Sequence, residues 1–369
     1  MAQRFDVIVI GAGVVGTAAA RALAERGRSV VLLERFEVGH GRGSSGGATR
    51  VFRLAYRHPD YVRMARFALG EWRALEARSG ERLLVTTGGL DLGEGAGVAA
   101  KALRAAGERA DRLRPEEVVE RWPALRVPPG REVVFQQDAG VCLAERTVRA
   151  QARIAVEEGV VLLEHTPVDH LVATGFGVEA RTPADAYLAP VGVVTAGAWT
   201  PGLLAQVGLD LPLVPTLEQV TFFELDDPTP MPTVIDWNAD PAVPHYVVPN
   251  PEEPGAFKVG LHRSGRPVDP DARPFDPDPE RVRRAVAFAE GIVPAARPTG
   301  ASETCLYTNA PDEDFVLDRR GPIVIGSACS GHGFKFAPLV GRILADLATA
   351  TPAPLPIERF LSSRPALAR

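Results

Sequence analysis

Phe5-Asp-Val-Ile-Val-Ile10 runs into Gly11-Ala-Gly13-Val-Val-Gly16, then an alanine-rich stretch to Arg26, a second apolar run from Ser29 to Leu33, and Glu34. Strand, tight turn, helix and strand in that order predict a βαβ unit with the G-x-G-x-x-G spacing of a dinucleotide-binding turn. Gly11 permits the turn, Gly13 lets a pyrophosphate approach the backbone, and Gly16 lets helix and strand pack closely. Glu34 is placed to accept hydrogen bonds from an adenosine ribose. Glycine-rich turns are common, so the reading rests on strand, spacing, helix and terminal acid taken together.

Beyond Glu34, residues 39–49 form an open Gly/Ser-rich loop that leads into Arg50-Val-Phe-Arg53, a length that suggests a ligand-facing segment. The middle alternates, with strands expected at 133–135, 140–143 and 160–163 and a helix at 145–158. Gly192 to Trp199 reads as a buried strand entering a small-residue turn, whereas residues 211–275 are rich in short strands and prolines and belong to another layer. At the far end, Pro322 to Gly326 is a strand, and Phe336 to Ala350 a helix whose amino end opens onto Ser330-Gly-His-Gly-Phe-Lys335. The first and last segments are therefore expected to share one sheet, with the other layer inserted between them.

At 369 residues the chain is long enough for a sizeable core, and 46% hydrophobic with 24% charged residues is ordinary for a folded, soluble protein. A net charge of -5 leaves no basic excess for nucleic acid or an anionic membrane. The uncharged run from Val7 to Ala20 is too short to span a bilayer, and its glycines fit the turn better than a signal peptide. Three cysteines, Cys142, Cys305 and Cys329, give neither a disulfide framework nor a metal site, so a reducing cytoplasmic location is expected. Of the 41 basic residues only Lys101, Lys258 and Lys335 are lysine, which singles out the last two as positions where guanidinium does not serve.

F-D-V-I-V-I-G-A-G from Phe5 and T-R-V-F-R-L-A-Y from Thr49 stand with R-W-P from Arg121, A-G-A-W from Ala196 and F-K-V-G-L-H from Phe257. T-C-L-Y-T from Thr304, S-G-H-G-F-K-F from Ser330 and R-P-A-L from Arg364 complete the set. In this order, nearly end to end, the motifs resemble the monomeric sarcosine oxidase and N-methyltryptophan oxidase family of flavin amine oxidases. The resemblance implies an α/β chain (α+β overall) with a Rossmann-like FAD-binding domain, residues 1–84, 145–210 and 305–369, and an inserted antiparallel-sheet substrate domain, residues 85–144 and 211–304. It implies FAD bound covalently through Cys305 by an 8α-S-cysteinyl bond, with Cys142 and Cys329 structural. Gly11, Gly13, Val14, Val15, Gly16, Glu34, Arg35, Ser44, Thr49, Arg50, Val168, Ala196, Gly197, Trp199, Gly331, His332, Gly333, Phe334 and Lys335 are the other residues expected at the cofactor.

The family's carboxylate-binding pair corresponds to Arg53 and Lys335, a directional fork and a compact point charge. Lys258 matches the oxygen-activating lysine on the flavin face opposite the substrate, with Arg50 nearby; the alternative is a lysine blunting an exposed strand edge. Tyr246, His262 and Tyr307 match residues lining the substrate side. A family histidine in the Gly-rich loop is replaced by Gly46 and the acid after it by Ala48. The implied reaction is oxidation of sarcosine and other N-methyl or secondary α-amino acids by O2, giving an imine, hydrolysed to amino acid and aldehyde, and hydrogen peroxide. A bulkier N-methyltryptophan-, pipecolate- or proline-type substrate, oxidised by an oxidase or a dehydrogenase, is the alternative. Trp237 and His245 to Gly255 are where the substrate pocket is expected to differ. A monomer acting on small molecules, without metal, nucleic acid or membrane, completes the expectation.

Overall fold

The computed structural model describes residues 2–237 and 243–368. Its first sheet has six strands in the order Val161–Leu163, Val30–Leu33, Val7–Ile10, Val191–Val194, Ile323–Ser327 and Val316–Arg320. All neighbours are parallel except the last pair. The opening strand and Ile323–Ser327 thus share one sheet as expected, with Val191–Val194 between them. Alternation divides the opening strands between two cores. Val7, Val9, Val30 and Leu32 join the core beneath the helices, and Ile8, Ile10, Val31 and Leu33 the one beneath a four-stranded sheet running from Gln3–Arg4 to His170–Thr174.

Helix Val14–Ala24 lies between Ala144–Glu157 and Ala337–Thr349. Its crossing with the last needs a bare backbone, because a Cβ on Gly341 would stand 2.4 Å from the Cβ of Ala18. The turn before it follows the glycine logic: Gly11 has φ 97°, and a Cβ on Gly16 would come within 1.8 Å of the Gly11 carbonyl oxygen.

The second large sheet is centred on Val214–Glu224, which pairs with Arg297–Asn309 on one edge and Phe257–Leu261 on the other. It continues through His245–Pro249, Thr233–Asp236, Gly89–Leu92 and Val133–Gln136. The expected antiparallel insert is interrupted once, because Thr233–Asp236 runs parallel to Gly89–Leu92. Helix Pro279–Ile292 covers its apolar face, where Ala285, Ala289 and Ile292 meet Phe223, Phe257, Val259 and Leu261 in one core. A three-stranded sheet, Thr49–Phe52, Gly140–Leu143 and Leu84–Thr86, carries the end of the Gly-rich loop. Among the described residues no helix is long and apolar enough to cross a membrane.

Candidate active site

The two large sheets enclose a cavity of about 1180 Å³. Every site residue expected from the sequence lines it except Gly16, which sits behind the turn, packed on Gly11 and Thr195. At one end lies the nucleotide turn. Glu34 is buried, and its carboxylate accepts from the amides of Ala12 at 2.6 Å and Phe36 at 2.9 Å. The Val14 amide, at the amino end of the first helix, donates to Ser45 Oγ at 3.1 Å, tying the Gly-rich loop to the turn. Arg35 pairs with Asp271 at 2.7 Å, Trp199 Nε1 donates to the same carboxylate at 2.8 Å, and Val168 and Gly197 complete this wall.

Two clusters of cations occupy the deeper part. In the first, the buried Lys258 Nζ donates to the carbonyl of Thr49 at 2.6 Å, and Arg50 Nη1 donates to that oxygen at 2.8 Å. Arg50 Nη2 donates to the carbonyls of Ser44 and Gly46. Burial and the neighbouring Arg50 push Lys258 down to about 7. Lys258 lies on an interior strand, flanked by Phe222 and Val248, which excludes the exposed-edge alternative.

Arg53 and Lys335 make the second cluster. Arg53 follows strand Thr49–Phe52 and Lys335 sits in the turn Phe334–Phe336, yet both cations lie against the Tyr56 ring, at 4.8 and 5.7 Å from its centre. The turn is anchored by Trp72 Nε1 donating to the Lys335 carbonyl at 2.7 Å, while Lys335 Nζ donates to the His332 carbonyl at 2.7 Å. Burial and Arg53 push Lys335 down to about 7, and burial with the same cations holds His262 near 3. His262 and Tyr307 have ring centres 5.8 Å apart, and Tyr246 lines the same cavity.

Cys305 is half-buried in the cavity wall on strand Arg297–Asn309, cross-strand from Glu218. Burial pushes its thiol up, with Arg50 and Lys258 acting in the opposite sense. Cys329, read from sequence as structural, also reaches the cavity, and its Sγ accepts from the Thr308 amide at 3.3 Å. Cys142 is fully buried.

Within His245 to Gly255 only Tyr246 and Val248 line the cavity. The turn after Pro249 lies away from it, with Glu252 paired to Arg146, because the strand ends before the turn begins. Trp237 does line it. Sequence reasoning missed Asp91, buried behind Arg53 at 3.2 Å, and Arg273, which is buried with Nε and Nη1 unpartnered and lines the cavity. Arg273 stood within one more D-P-rich turn and Asp91 within an apolar strand, so neither carried a signal.

The residues fit a flavin dinucleotide. A bare Gly13, the positive end of a helix, a buried carboxylate where a ribose would lie and a guanidinium with two of its nitrogens unpartnered all face a cavity of this size. Fold and site define a dinucleotide-dependent oxidoreductase. The chain belongs to the FAD dependent oxidoreductase family, whose model matches residues 6–347. It is 34% identical to monomeric sarcosine oxidase of Bacillus sp. (strain B-0618) over 100% of this chain and 98% of that protein. It is 29% identical to N-methyl-L-tryptophan oxidase of Yersinia pestis (strain Pestoides F), covering 98% of this chain and 99% of that one. Among solved structures, NikD, an amino acid oxidase essential for nikkomycin biosynthesis, superposes in its open form with a TM-score of 0.88 at 29% identity, over 97% of each chain.

Proposed function

We propose that the chain is an FAD-dependent oxidase of sarcosine and other N-methyl or secondary α-amino acids, producing an imine and hydrogen peroxide. The observation that carries this is the convergence of Arg53 and Lys335 on the Tyr56 ring in the same cavity as Lys258 and Arg50. FAD held here would supply the two-electron redox chemistry that links oxidation of the carbon next to the amine nitrogen to reduction of O2 to peroxide.

The protein supplies position and charge. Arg53 and Lys335 grip the substrate carboxylate, so the amine and its neighbouring C–H bond are held in one orientation. Half-buried Tyr246, His262 and Tyr307 line the substrate side, and His262, neutral because burial and the neighbouring cations depress it, adds no further positive charge beside Arg53 and Lys335. Lys258 in its ammonium form stabilises the negative charge that oxygen acquires with its first electron, and Arg50 braces it through Thr49. No side chain need act as general base for a substrate that binds as the neutral amine.

Covalent attachment through Cys305, a monomeric state and a cytoplasmic location belong to the same proposal, supported by the T-C-L-Y-T motif, the similar monomeric oxidases and the unpaired cysteines. So does the division into an FAD domain, residues 1–84, 145–210 and 305–369, and a substrate domain, residues 85–144 and 211–304. The two large sheets support it, although strand Arg297–Asn309 runs across the 304/305 boundary. Anaerobic addition of sarcosine should bleach the flavin absorbance, and air should restore it with peroxide release. A flavin that every secondary amino acid leaves oxidised would overturn the reading.

A further inference from the structure

We propose that Asp91 is a positioning residue for the carboxylate site, holding the Arg53 guanidinium by one edge within a closed ring of hydrogen bonds formed with Gln136 and Trp237. This deepens the reading of Arg53 given above and rests on it.

Asp91 is 1% exposed, on strand Gly89–Leu92, and does not line the cavity. A carboxylate in that position is costly unless charge and hydrogen bonds offset the burial. Burial holds Asp91 above the usual carboxylate value, while Arg53, Trp237 and Gln136 pull it down. Its Oδ1 accepts from Arg53 Nη1 at 3.2 Å and from Trp237 Nε1 at 2.9 Å, and its Oδ2 accepts from Gln136 Nε2. Gln136 Oε1 in turn accepts from the amides of Leu54 at 2.9 Å and Ala55 at 2.6 Å, the two residues that follow Arg53. The ring therefore begins at the side chain of Arg53 and returns to its own main chain. Trp237 and Tyr56 add their faces, with ring centres 5.1 and 4.8 Å from the guanidinium carbon.

Two effects of Asp91 oppose each other. Its charge offsets that of Arg53 and so weakens attraction for an incoming carboxylate, whereas its geometry removes rotamer freedom that binding would otherwise have to freeze. Geometry dominates, because three donors fix the carboxylate in place and its removal leaves the buried Gln136 Nε2, and Trp237 Nε1, without their acceptor. In Asp91→Asn the new amide nitrogen faces the amide nitrogen of Gln136, donor against donor, and the ring breaks. Adding Gln136→Glu restores an acceptor there, keeps one for Leu54 and Ala55, and moves the negative charge by one residue.

The test titrates holoenzyme with acetate, a carboxylate with no amine to oxidise, following the perturbation of flavin absorbance, and measures kcat and KM on sarcosine. Asp91→Asn is expected to raise the acetate Kd and the sarcosine KM at least roughly ten-fold, on the scale of losing one charge-assisted hydrogen bond, with a smaller change in kcat. Asp91→Asn/Gln136→Glu should recover most of that loss. Unchanged or tighter acetate binding in Asp91→Asn overturns the inference, as does failure of the double variant to recover binding. If Asp91→Asn yields no holoenzyme, Trp237→Phe carries the test by removing one donor to Asp91, and unchanged acetate affinity there overturns it equally. Wild-type holoenzyme that binds no acetate would instead refute the assignment of Arg53, and the present inference with it.

Discussion

Lys258 and Arg50 donate to one acceptor, the carbonyl oxygen of Thr49, at 2.6 and 2.8 Å. Two cations that would repel in an open site are thus held together by the last peptide of the Gly-rich loop. The same peptide fixes where the loop meets its strand, so the charge and the cofactor-facing backbone are set by one anchor.

Replacement of Lys258 by Met is expected to slow reoxidation of the reduced enzyme by at least roughly 10²-fold, the loss seen when one preorganised donor is deleted. Anaerobic reduction by substrate should change much less. Rapid-mixing measurement of the two half-reactions separates them, and equal loss in both would make Lys258 a structural residue.

The state of Cys305 is checked by acid precipitation. Yellow colour should stay with the native protein, and Cys305→Ala should release it to the supernatant. Burial opposes thiolate formation here, so attachment should proceed faster at higher pH, where more of the thiol is ionised.

A pH dependence follows from Lys335, held down to about 7 by burial and Arg53. A bound carboxylate favours the ammonium and raises that value, so between the two values binding takes up a proton. Acetate affinity should therefore be flat below about 7 and fall as the pH rises above it. Lys335→Met should weaken binding and abolish the slope, whereas Lys258→Met should retain it. A slope that survives in Lys335→Met assigns the proton elsewhere.

On substrate choice, apolar walls discriminate by only about 1 to 3 kcal/mol per methylene, so a panel of secondary amino acids should show graded activity, with N-methylalanine or proline turned over beside sarcosine. Primary amino acids should be poor. Decarboxylated amines should be poorer still, and comparable peroxide release from them would contradict the roles of Arg53 and Lys335.

Gly16 and Gly341 offer a contrast in stability. Each would drive a Cβ into backbone or a packed helix, at 1.8 Å from Gly11 and 2.4 Å from Ala18. Alanine at either is expected to cost about 1–3 kcal/mol in denaturant unfolding. Only Gly16→Ala should also lower FAD content, because it displaces the turn itself.

The opening βαβ unit was legible because its information is local: alternating apolar residues, three spaced glycines and Glu34 lie within one short stretch. The helix Pro59–Ser79 was not read from the sequence, although His58-Pro-Asp60 at its start and Gly80, left-handed at its end, are boundary signals. Lys258 stood out by the rarity of lysine, but its interior place did not, since burial is decided by strands far along the chain. Asp91, Gln136 and Arg273 were invisible for the same reason. Asp91 meets Trp237 through the parallel pairing of Gly89–Leu92 with Thr233–Asp236 and Gln136 through the antiparallel pairing with Val133–Gln136, while Arg273 reaches the Gly41 carbonyl, and no local pattern connects these segments.

Strand Val214–Glu224 lies between the strands of Cys305 and Lys258, opposing Glu218 to the one and Phe222 to the other. Since directly paired residues share a face and side chains alternate along a strand, a one-residue slip of either neighbour against this strand would turn its group, Cys305 or Lys258, away from the cavity. The groups proposed for attachment and for oxygen chemistry thus take their register from one strand, whereas Arg53 and Lys335 hang from separate elements. Evolution or an engineer can therefore retune what the pocket accepts without touching how its electrons leave.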